Sequence, residues 1–169
     1  MSNKIWLLTG LFFIFLWGCN PFAPAFDEDG LMDQGGLGDR TTIDGLFDFF
    51  ERAYEIRDTS LYGRLFTQDF VFVYYDFEQA VEVRWDKGQE MATAYNLFRN
   101  VQQIALDWNF YVEQSVVGDT AFVVRSFNLT IVEDANSVYS GTGRAKLRMR
   151  RQGEGQPWFI YYWFDDSDF

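Results

Sequence analysis

The sequence predicts an α+β fold in which helices near the start of the folded domain cover one face of a curved antiparallel sheet, shaped like a cone. Helical periodicity is confined to the first part of this domain, and long alternating strands follow it. The chain is also rich in large apolar side chains: 48% of residues are hydrophobic, including 19 Phe, 9 Tyr and 6 Trp. A chain of 169 residues with this composition can bury the core of one domain.

Residues 1–18 have the layout of an export signal, with Lys4 in a short polar start and an apolar run from Ile5 to Trp17. The run is shorter than the ~20 residues that span a bilayer comfortably. It leads into "LWGC", residues 16–19, which resembles the lipobox of bacterial lipoprotein precursors. The resemblance implies that the signal peptide is removed and that Cys19, the only cysteine, carries a lipid.

A lipid on Cys19 implies a membrane as partner and the bacterial cell envelope as location. Asn20, directly after the cysteine, resembles the corresponding residue of proteins sorted to the outer membrane. An ordinary signal peptide, cleaved or uncleaved, is the alternative. Residues 19–40 hold prolines, glycines and acidic residues and show neither helical nor strand periodicity. This predicts a flexible tether before a domain over residues 41–169. The acidic residues of the tether do not follow the spacing of a calcium loop.

The domain is expected to begin with an amphipathic helix. Thr41 followed by Asp44 is a helix-start signal. Apolar residues then recur at helical spacing: Ile43, Leu46, Phe47, Phe50, Ala53 and Tyr54. A shorter helical piece is expected over residues 60–66. A β-branched and aromatic run predicts a strand over residues 70–75, and a second short strand is expected over residues 81–85.

Asp86 is expected to cap a further helix, whose buried stripe would hold Met91, Ala94, Tyr95, Phe98 and Val101. Four longer strands then follow, over residues 105–117, 120–132, 138–151 and 157–165. The first of them alternates apolar and polar residues, which is typical of a strand with one buried face. The segments "VGDT", "EDANS" and "QGEGQ" predict the turns that join these strands into a meander.

Three segments of the domain resemble the SnoaL-like branch of the nuclear transport factor 2-like (NTF2-like) superfamily. They are "AYEIRDTSLYGRLFTQDFVFVYYD" (residues 53–76), "WDKGQEMATAYNLF" (85–98) and "PWFIYYWFDD" (157–166). The resemblance implies a cone of helices and sheet whose open end is a pocket. Members of the superfamily use that end as an active site, for binding alone or for dimerisation, so the fold does not decide the function.

The steroid-isomerase branch uses a tyrosine of the first helix and an aspartate near the end of the first strand. Alignment with that branch puts Phe50 and Tyr74 at these places, which leaves Asp76 as the candidate base. The chain has no histidine, so we expect no group that transfers protons near neutral pH, no metal site and no cofactor. With 25 acidic and 14 basic residues, the net charge of -11 argues against a nucleic acid as partner.

Eight residues are candidates for the lining of the cone, because they combine apolar area with polar tips. They are Tyr54, Tyr74, Tyr95, Trp108, Phe110, Arg125, Tyr162 and Trp163. Each of the aromatic residues could equally belong to the core. Arg125 falls in the apolar register of its strand, so an inward guanidinium would need a carboxylate partner or an anionic ligand.

Alternation places four basic residues on one side of the third long strand: Arg144, Lys146, Arg148 and Arg150. Acidic residues on the neighbouring strands would explain them. Otherwise the row would be a docking surface for an acidic partner or for anionic headgroups.

Together these observations favour a lipid-anchored envelope protein whose cone binds a small apolar or amphipathic ligand, or a protein partner, without catalysis. One alternative is an isomerase or dehydratase that uses Asp76 as its base. The other is a structural module that forms a homodimer and whose cone is filled by side chains.

Overall fold

The computed structural model describes residues 36–167, so the predicted signal peptide, Cys19 and most of the predicted tether lie outside the described residues. This part contains three helices: α1 (Ile43–Glu55), α2 (Thr59–Gly63) and α3 (Lys87–Asn100). It also contains six strands: β1 (Phe66–Asp76), β2 (Val81–Asp86), β3 (Gln103–Val117), β4 (Thr120–Asp134), β5 (Ser137–Arg150) and β6 (Phe159–Ser167). None of the helices within residues 36–167 is long and apolar enough to cross a membrane.

Helix α1 begins one residue later than the sequence predicts. The hydroxyl of Thr42 accepts a hydrogen bond from the backbone N–H of Gly45 at 3.0 Å and so caps the first turn. Thr41 instead donates its hydroxyl to the carboxylate of Asp39. The apolar stripe of the helix is buried as expected, with Leu46, Phe47, Phe49 and Phe50 at its centre.

The six strands form one curved open sheet in the order β2-β1-β6-β5-β4-β3. Most neighbours are antiparallel, and the α+β class with helices against a curved sheet is confirmed. One pair differs from the expected antiparallel arrangement, because β1 and β6 run parallel. The chain forms the β3–β6 meander after α3, and its last strand then pairs with β1, so β6 lies between β5 and β1.

Strand β3 departs from simple alternation. Its register against β4 shifts between Trp108 and Tyr111, so these two side chains, three residues apart, both contact the ring of Phe47. Phe110 is turned to the other side and is 70% exposed. The bulge explains why period-two counting from Trp108 assigns Phe110 to the wrong face.

Aromatic rings form the centre of the core, between α1 and the covered face of the sheet. Phe50 is fully buried, and its ring makes edge contacts with the rings of Tyr62, Trp108 and Trp163 at 5.3–5.5 Å between centroids. Such contacts add to the stabilisation from burial by about 0.5–1.5 kcal/mol each. They also fix the indoles of β3 and β6 against the first helix, which positions the site described next.

Candidate functional site

A cavity of about 220 Å³ lies between the helices and the covered face of the sheet. Its wall is mainly aromatic and includes two carboxylates. The lining residues are Phe50, Tyr54, Tyr62, Phe72, Trp85, Glu90, Thr93, Leu106, Trp108, Phe127, Leu129, Trp163 and Asp165. The volume is below the ~300–1,000 Å³ of pockets that take drug-sized ligands, so only a small molecule would fit.

Glu90 is a buried carboxylate of the cavity wall, at 6% exposure. Asp86 caps α3 by accepting from the backbone N–H of Gln89, and this fixes the first turn that carries Glu90. Tyr62 donates its hydroxyl to Oε1 of Glu90 at 2.7 Å, and the indole N–H of Trp85 donates to Oε2 at 2.7 Å. Burial raises the pKa of Glu90, while these two hydrogen bonds act in the opposite direction.

Asp165 is the second carboxylate of the wall and lies on the central strand β6. Its Oδ2 accepts a hydrogen bond from the hydroxyl of Ser167 at 3.0 Å. Its Oδ1 is buried and has no hydrogen-bond partner among the residues that the structure describes. Burial raises the pKa of Asp165 to about 6; the Ser167 hydrogen bond opposes this, and the charges of Asp166 and Glu90 add to it. Burial therefore brings the pKa of one carboxylate toward the neutral range, where the sequence led us to expect no titrating group.

Two indole N–H groups of cavity-lining residues also lack a partner in the described part of the chain. Nε1 of Trp108 and Nε1 of Trp163 are buried and donate to no acceptor within residues 36–167. A buried donor or acceptor left unpaired costs ~1–3 kcal/mol. Together with Oδ1 of Asp165, two donors and one acceptor that belong to cavity-lining residues have no partner within residues 36–167.

Tyr54 brings a phenol to the same cavity from α1. Burial raises its pKa, and the nearby charges of Glu90 and Asp165 raise it further. The phenol is therefore protonated at neutral pH and can donate a hydrogen bond. Its ring also packs edge-on against Phe98 of α3 at 5.1 Å, which fixes the tyrosine between two helices.

Of the eight residues predicted to line the cone, Tyr54, Trp108 and Trp163 line the cavity. Tyr74 lines an adjoining groove of about 260 Å³, which shares Phe72, Trp85 and Asp165 with the cavity.

Tyr95, Phe110, Tyr162 and Arg125 lie elsewhere in the domain. Tyr95 is 47% exposed on α3 and accepts a hydrogen bond from Arg99. Phe110 is turned away by the bulge in β3. Tyr162 lies on the opposite face of the sheet, where Arg148 covers its ring at 5.2 Å.

Arg125 lies under α1 beside the cavity, where it is held by aromatic rings. Its guanidinium lies 4.7 Å from the ring centroid of Phe47 and 4.5 Å from that of Tyr111. It donates hydrogen bonds to the carbonyl oxygen of Asn109 and to the hydroxyl of Tyr111, both at 3.2 Å. Tyr111 in turn donates its hydroxyl to the carboxylate of Asp44. The carboxylate partner that the sequence predicts for Arg125 is therefore linked to it through the phenol of Tyr111.

Asp76, the candidate base from the sequence, lies outside the cavity lining. Its Oδ1 accepts from the backbone N–H groups of Glu78 and Gln79, and its Oδ2 accepts from the side-chain amide of Gln79, all at 2.9 Å. These bonds are typical of an aspartate that closes a turn. Asp76 therefore stabilises the β1–β2 connection, and its role as a base stays a prediction.

The four basic residues on one side of β5 form a cationic row: Arg144, Lys146, Arg148 and Arg150. Neighbouring acidic residues account for two of them. Lys146 pairs with Asp166 at 2.9 Å, and Arg150 pairs with Asp69 at 2.5 Å. The row also covers the aromatic rings of β6, with Lys146 over Phe164 and Arg148 over Tyr162. Arg144 lies directly across from Asp166 in the β5–β6 register.

The two carboxylates of the cavity, Glu90 and Asp165, are not among the residues predicted from the sequence. Glu90 precedes Ala94 by four residues and Phe98 by eight, which is the spacing of the buried face of α3. Asp165 follows Trp163 by two residues, so both share a face of β6. Each carboxylate is an acidic residue in an apolar register, and that signal was available in the sequence.

No family model and no curated protein matches the chain. Solved structures do match its fold. An NTF2-like superfamily protein from Salmonella enterica serovar Typhimurium is 16% identical, with a TM-score of 0.60 over 75% of this chain and 89% of that one. A Streptomyces avermitilis protein assigned as a dehydratase of the NTF2-like family is 17% identical, with a TM-score of 0.56 over 71% and 89%.

A third match is assigned as the beta subunit of an aromatic-ring-hydroxylating dioxygenase from Novosphingobium aromaticivorans. It is 14% identical, with a TM-score of 0.62 over 77% of this chain and 89% of that one. At these identities the likeness concerns the fold alone. The domain therefore has the NTF2-like fold, which is found in proteins of different assigned activities.

Proposed function

We propose that this domain, with its NTF2-like fold, binds one small and mainly apolar molecule in the cavity between its helices and its sheet. The observation that carries the proposal is the set of three unpartnered polar atoms in one aromatic wall: Nε1 of Trp108, Nε1 of Trp163 and Oδ1 of Asp165. Apolar walls with a few fixed polar groups are typical of small-molecule sites. The unfilled volume also favours binding over a cone filled by side chains.

Thr93 offers a way to test binding without disturbing the core. It is exposed on α3 and lines the cavity, so a Thr93→Trp side chain would cover the opening. Ala92 is exposed on the same helix and does not line the cavity, so Ala92→Trp is the matched control.

The experiment uses the full chain purified from its own host, analysed by native mass spectrometry for a retained small molecule. Titration with N-phenyl-1-naphthylamine, a neutral apolar fluorescent probe, gives a second readout. We expect Thr93→Trp to lose the retained mass and to weaken probe binding about tenfold or more, while Ala92→Trp behaves as wild type. Equal binding by wild type and Thr93→Trp would refute the cavity as the binding site.

A second candidate function is proton transfer to or from the bound molecule, with Asp165 as general base. The observation in its favour is a carboxylate whose Oδ1 has no hydrogen-bond partner within residues 36–167 and whose pKa is raised to about 6 by burial. A base works best when its pKa lies near the working pH. The dehydratase assignment of the Streptomyces relative is compatible with such chemistry.

A probe reaction can test this candidate without knowledge of the natural substrate. In 5-nitrobenzisoxazole, a base takes one carbon-bound proton, the electron pair forms a nitrile, and the N–O bond breaks to leave a phenolate. We expect the wild-type rate to rise with pH through about 6 and Asp165→Asn to lower it at least ~10²-fold. Glu113→Gln, which changes an exposed carboxylate of β3 that lines neither the cavity nor the adjoining groove, should have little effect. A rate that is insensitive to Asp165→Asn would exclude Asp165 as the base.

We also propose that the domain is attached to the cell envelope through a lipid on Cys19. The support is the apolar run of residues 5–17 and the lipobox-like "LWGC" that follows it. Two or three acyl chains would anchor the protein stably, because each buried CH₂ contributes ~0.8 kcal/mol. The cavity would then work outside the cytoplasm, on molecules that reach the envelope.

A further inference from the structure

The cavity wall carries acidic groups without basic ones. Glu90 and Asp165 both contribute carboxylates, and no lysine or arginine belongs to the described lining. Arg125, which points from β4 toward α1, is engaged by the rings of Phe47 and Tyr111. A buried carboxylate without a cation is costly, because the charged form loses its hydration and gains no opposite charge. The wall therefore favours positive charge in the cavity and opposes negative charge.

The aromatic part of the wall has the same preference. Ring faces carry partial negative charge and attract cations, most strongly for tryptophan. Phe72 and Trp85 stack at 4.5 Å between centroids, and Trp163 meets Phe72 edge-on at 5.0 Å. Phe72, Trp85 and Asp165 line both the cavity and the adjoining groove. Rings and a carboxylate are thus brought together at the place where the two spaces meet.

We propose that the molecule bound in the cavity is an organic cation, an amine or ammonium compound with an apolar or aromatic body. This inference rests on the proposed binding function and names its ligand class. The ammonium group would lie against Oδ1 of Asp165 and the rings of Phe72 and Trp85. The indole N–H groups of Trp108 and Trp163, which have no partner within residues 36–167, would donate hydrogen bonds to an oxygen acceptor on the body of the ligand.

Two compounds of nearly the same shape isolate the effect of charge. Phenyltrimethylammonium is a cation, and tert-butylbenzene is its neutral isostere. Binding of each to the full chain is measured by the change in tryptophan fluorescence at about pH 7.5, with Asp165→Asn as the test variant. Glu113→Gln is the control, because Glu113 is exposed on β3 and lines neither the cavity nor the groove.

We expect the wild type to bind the cation about tenfold more tightly than the isostere. Asp165→Asn should reduce this preference to threefold or less, and Glu113→Gln should preserve it. Equal binding of both compounds by the wild type would overturn the cation assignment and leave the binding function intact. Failure of both compounds to bind, together with no effect of Thr93→Trp on probe binding or retained mass, would overturn both.

A pH titration of the wild type gives a readout that needs no variant. The titratable groups that face Asp165 are Tyr54 of α1, Tyr62 of α2, Glu90 of α3 and Asp166 of its own strand. Protonation of Asp165 removes its negative charge, so affinity for the cation should fall as the pH is lowered through about 6, while affinity for tert-butylbenzene stays constant. A cation affinity that does not change between about pH 5 and 7.5 would overturn the role of Asp165.

Discussion

Asp165 lowers the stability of the ligand-free domain at neutral pH. Its pKa is raised to about 6 in the folded state, against an ordinary value of 3.8. Between these two values the folded state holds the proton more tightly than the unfolded chain does. Stability due to this residue is therefore fully present at low pH and is lost as the pH rises through about 6. Burial of Glu90 acts in the same direction.

Replacement of Asp165 by asparagine should remove this contribution to the pH dependence. We expect the free energy of unfolding of Asp165→Asn, relative to that of the wild type, to increase by about 2–3 kcal/mol as the pH rises from about 4 to 7.5. Urea unfolding of the ligand-free full chain at several pH values measures this difference. A difference that stays constant across this range would show that the carboxylate of Asp165 titrates normally in the folded protein.

At the scale of single elements, the approach of the chain to α1 depends on the absence of a side chain at Gly45. A Cβ atom there would lie 2.0 Å from the carbonyl oxygen of Asp39, well inside van der Waals contact. The segment that would have to move carries Arg40, which is buried and donates to the carbonyl oxygen of Arg64 at 2.6 Å. Its guanidinium also lies over the ring of Phe49.

Gly45→Ala should therefore destabilise the domain, although alanine favours helices over glycine. We expect a loss of about 1–3 kcal/mol in the free energy of unfolding, because backbone must shift to relieve the clash. Gly63→Ala in α2 is the control, since a Cβ there meets only the flexible end of Met91 at 3.2 Å. That variant should match or slightly exceed wild-type stability in the same urea unfolding experiment. Equal effects of the two changes would refute the steric explanation.

The elements themselves were largely predictable, because their periods are strong. The stripe of α1, the cap of α3 at Asp86 and the long strands all follow from local patterns. The parallel pairing of β1 with β6 was not predictable, since it joins distant segments and leaves no local signal. The bulge in β3 was also missed, and it exchanged the roles expected of Phe110 and Tyr111.

The same limit applies to the candidate site. The sequence correctly predicted three aromatic residues of the cavity wall, Tyr54, Trp108 and Trp163, because they follow the helix or strand periodicity of their elements. The two carboxylates, Glu90 and Asp165, were not predicted, because residue type alone indicates histidine as the group that titrates near neutral pH, and the chain has no histidine. The pKa of Asp165 depends on burial, which is a tertiary property.

At the scale of the whole molecule, charge is distributed unevenly between the two faces of the sheet. The net charge is -11, yet the outer face of β5 carries the cationic row, and the covered face has the acidic cavity. Lys146 and Arg150 pair with Asp166 and Asp69, so part of the row is neutralised within the domain. We expect a cationic ligand to be attracted toward the domain by its overall charge, an effect that salt weakens.

The proposed anchor is also tested on the whole molecule. Cells that express the full chain are grown with an alkyne-tagged fatty acid, and the protein is then isolated and probed for the tag. We expect the wild type to carry the tag and to fractionate with membranes, and Cys19→Ser to lose both properties, because Cys19 is the only thiol of the chain. Untagged wild-type protein, or tagged Cys19→Ser, would contradict the anchor.

The central position of β6 has a consequence for how the protein is made. Strand β6 is synthesised after the other five strands that the structure describes, yet it lies between β1 and β5 and supplies Trp163 and Asp165 to the cavity. A nascent chain on the ribosome therefore has an interrupted sheet until its final strand emerges.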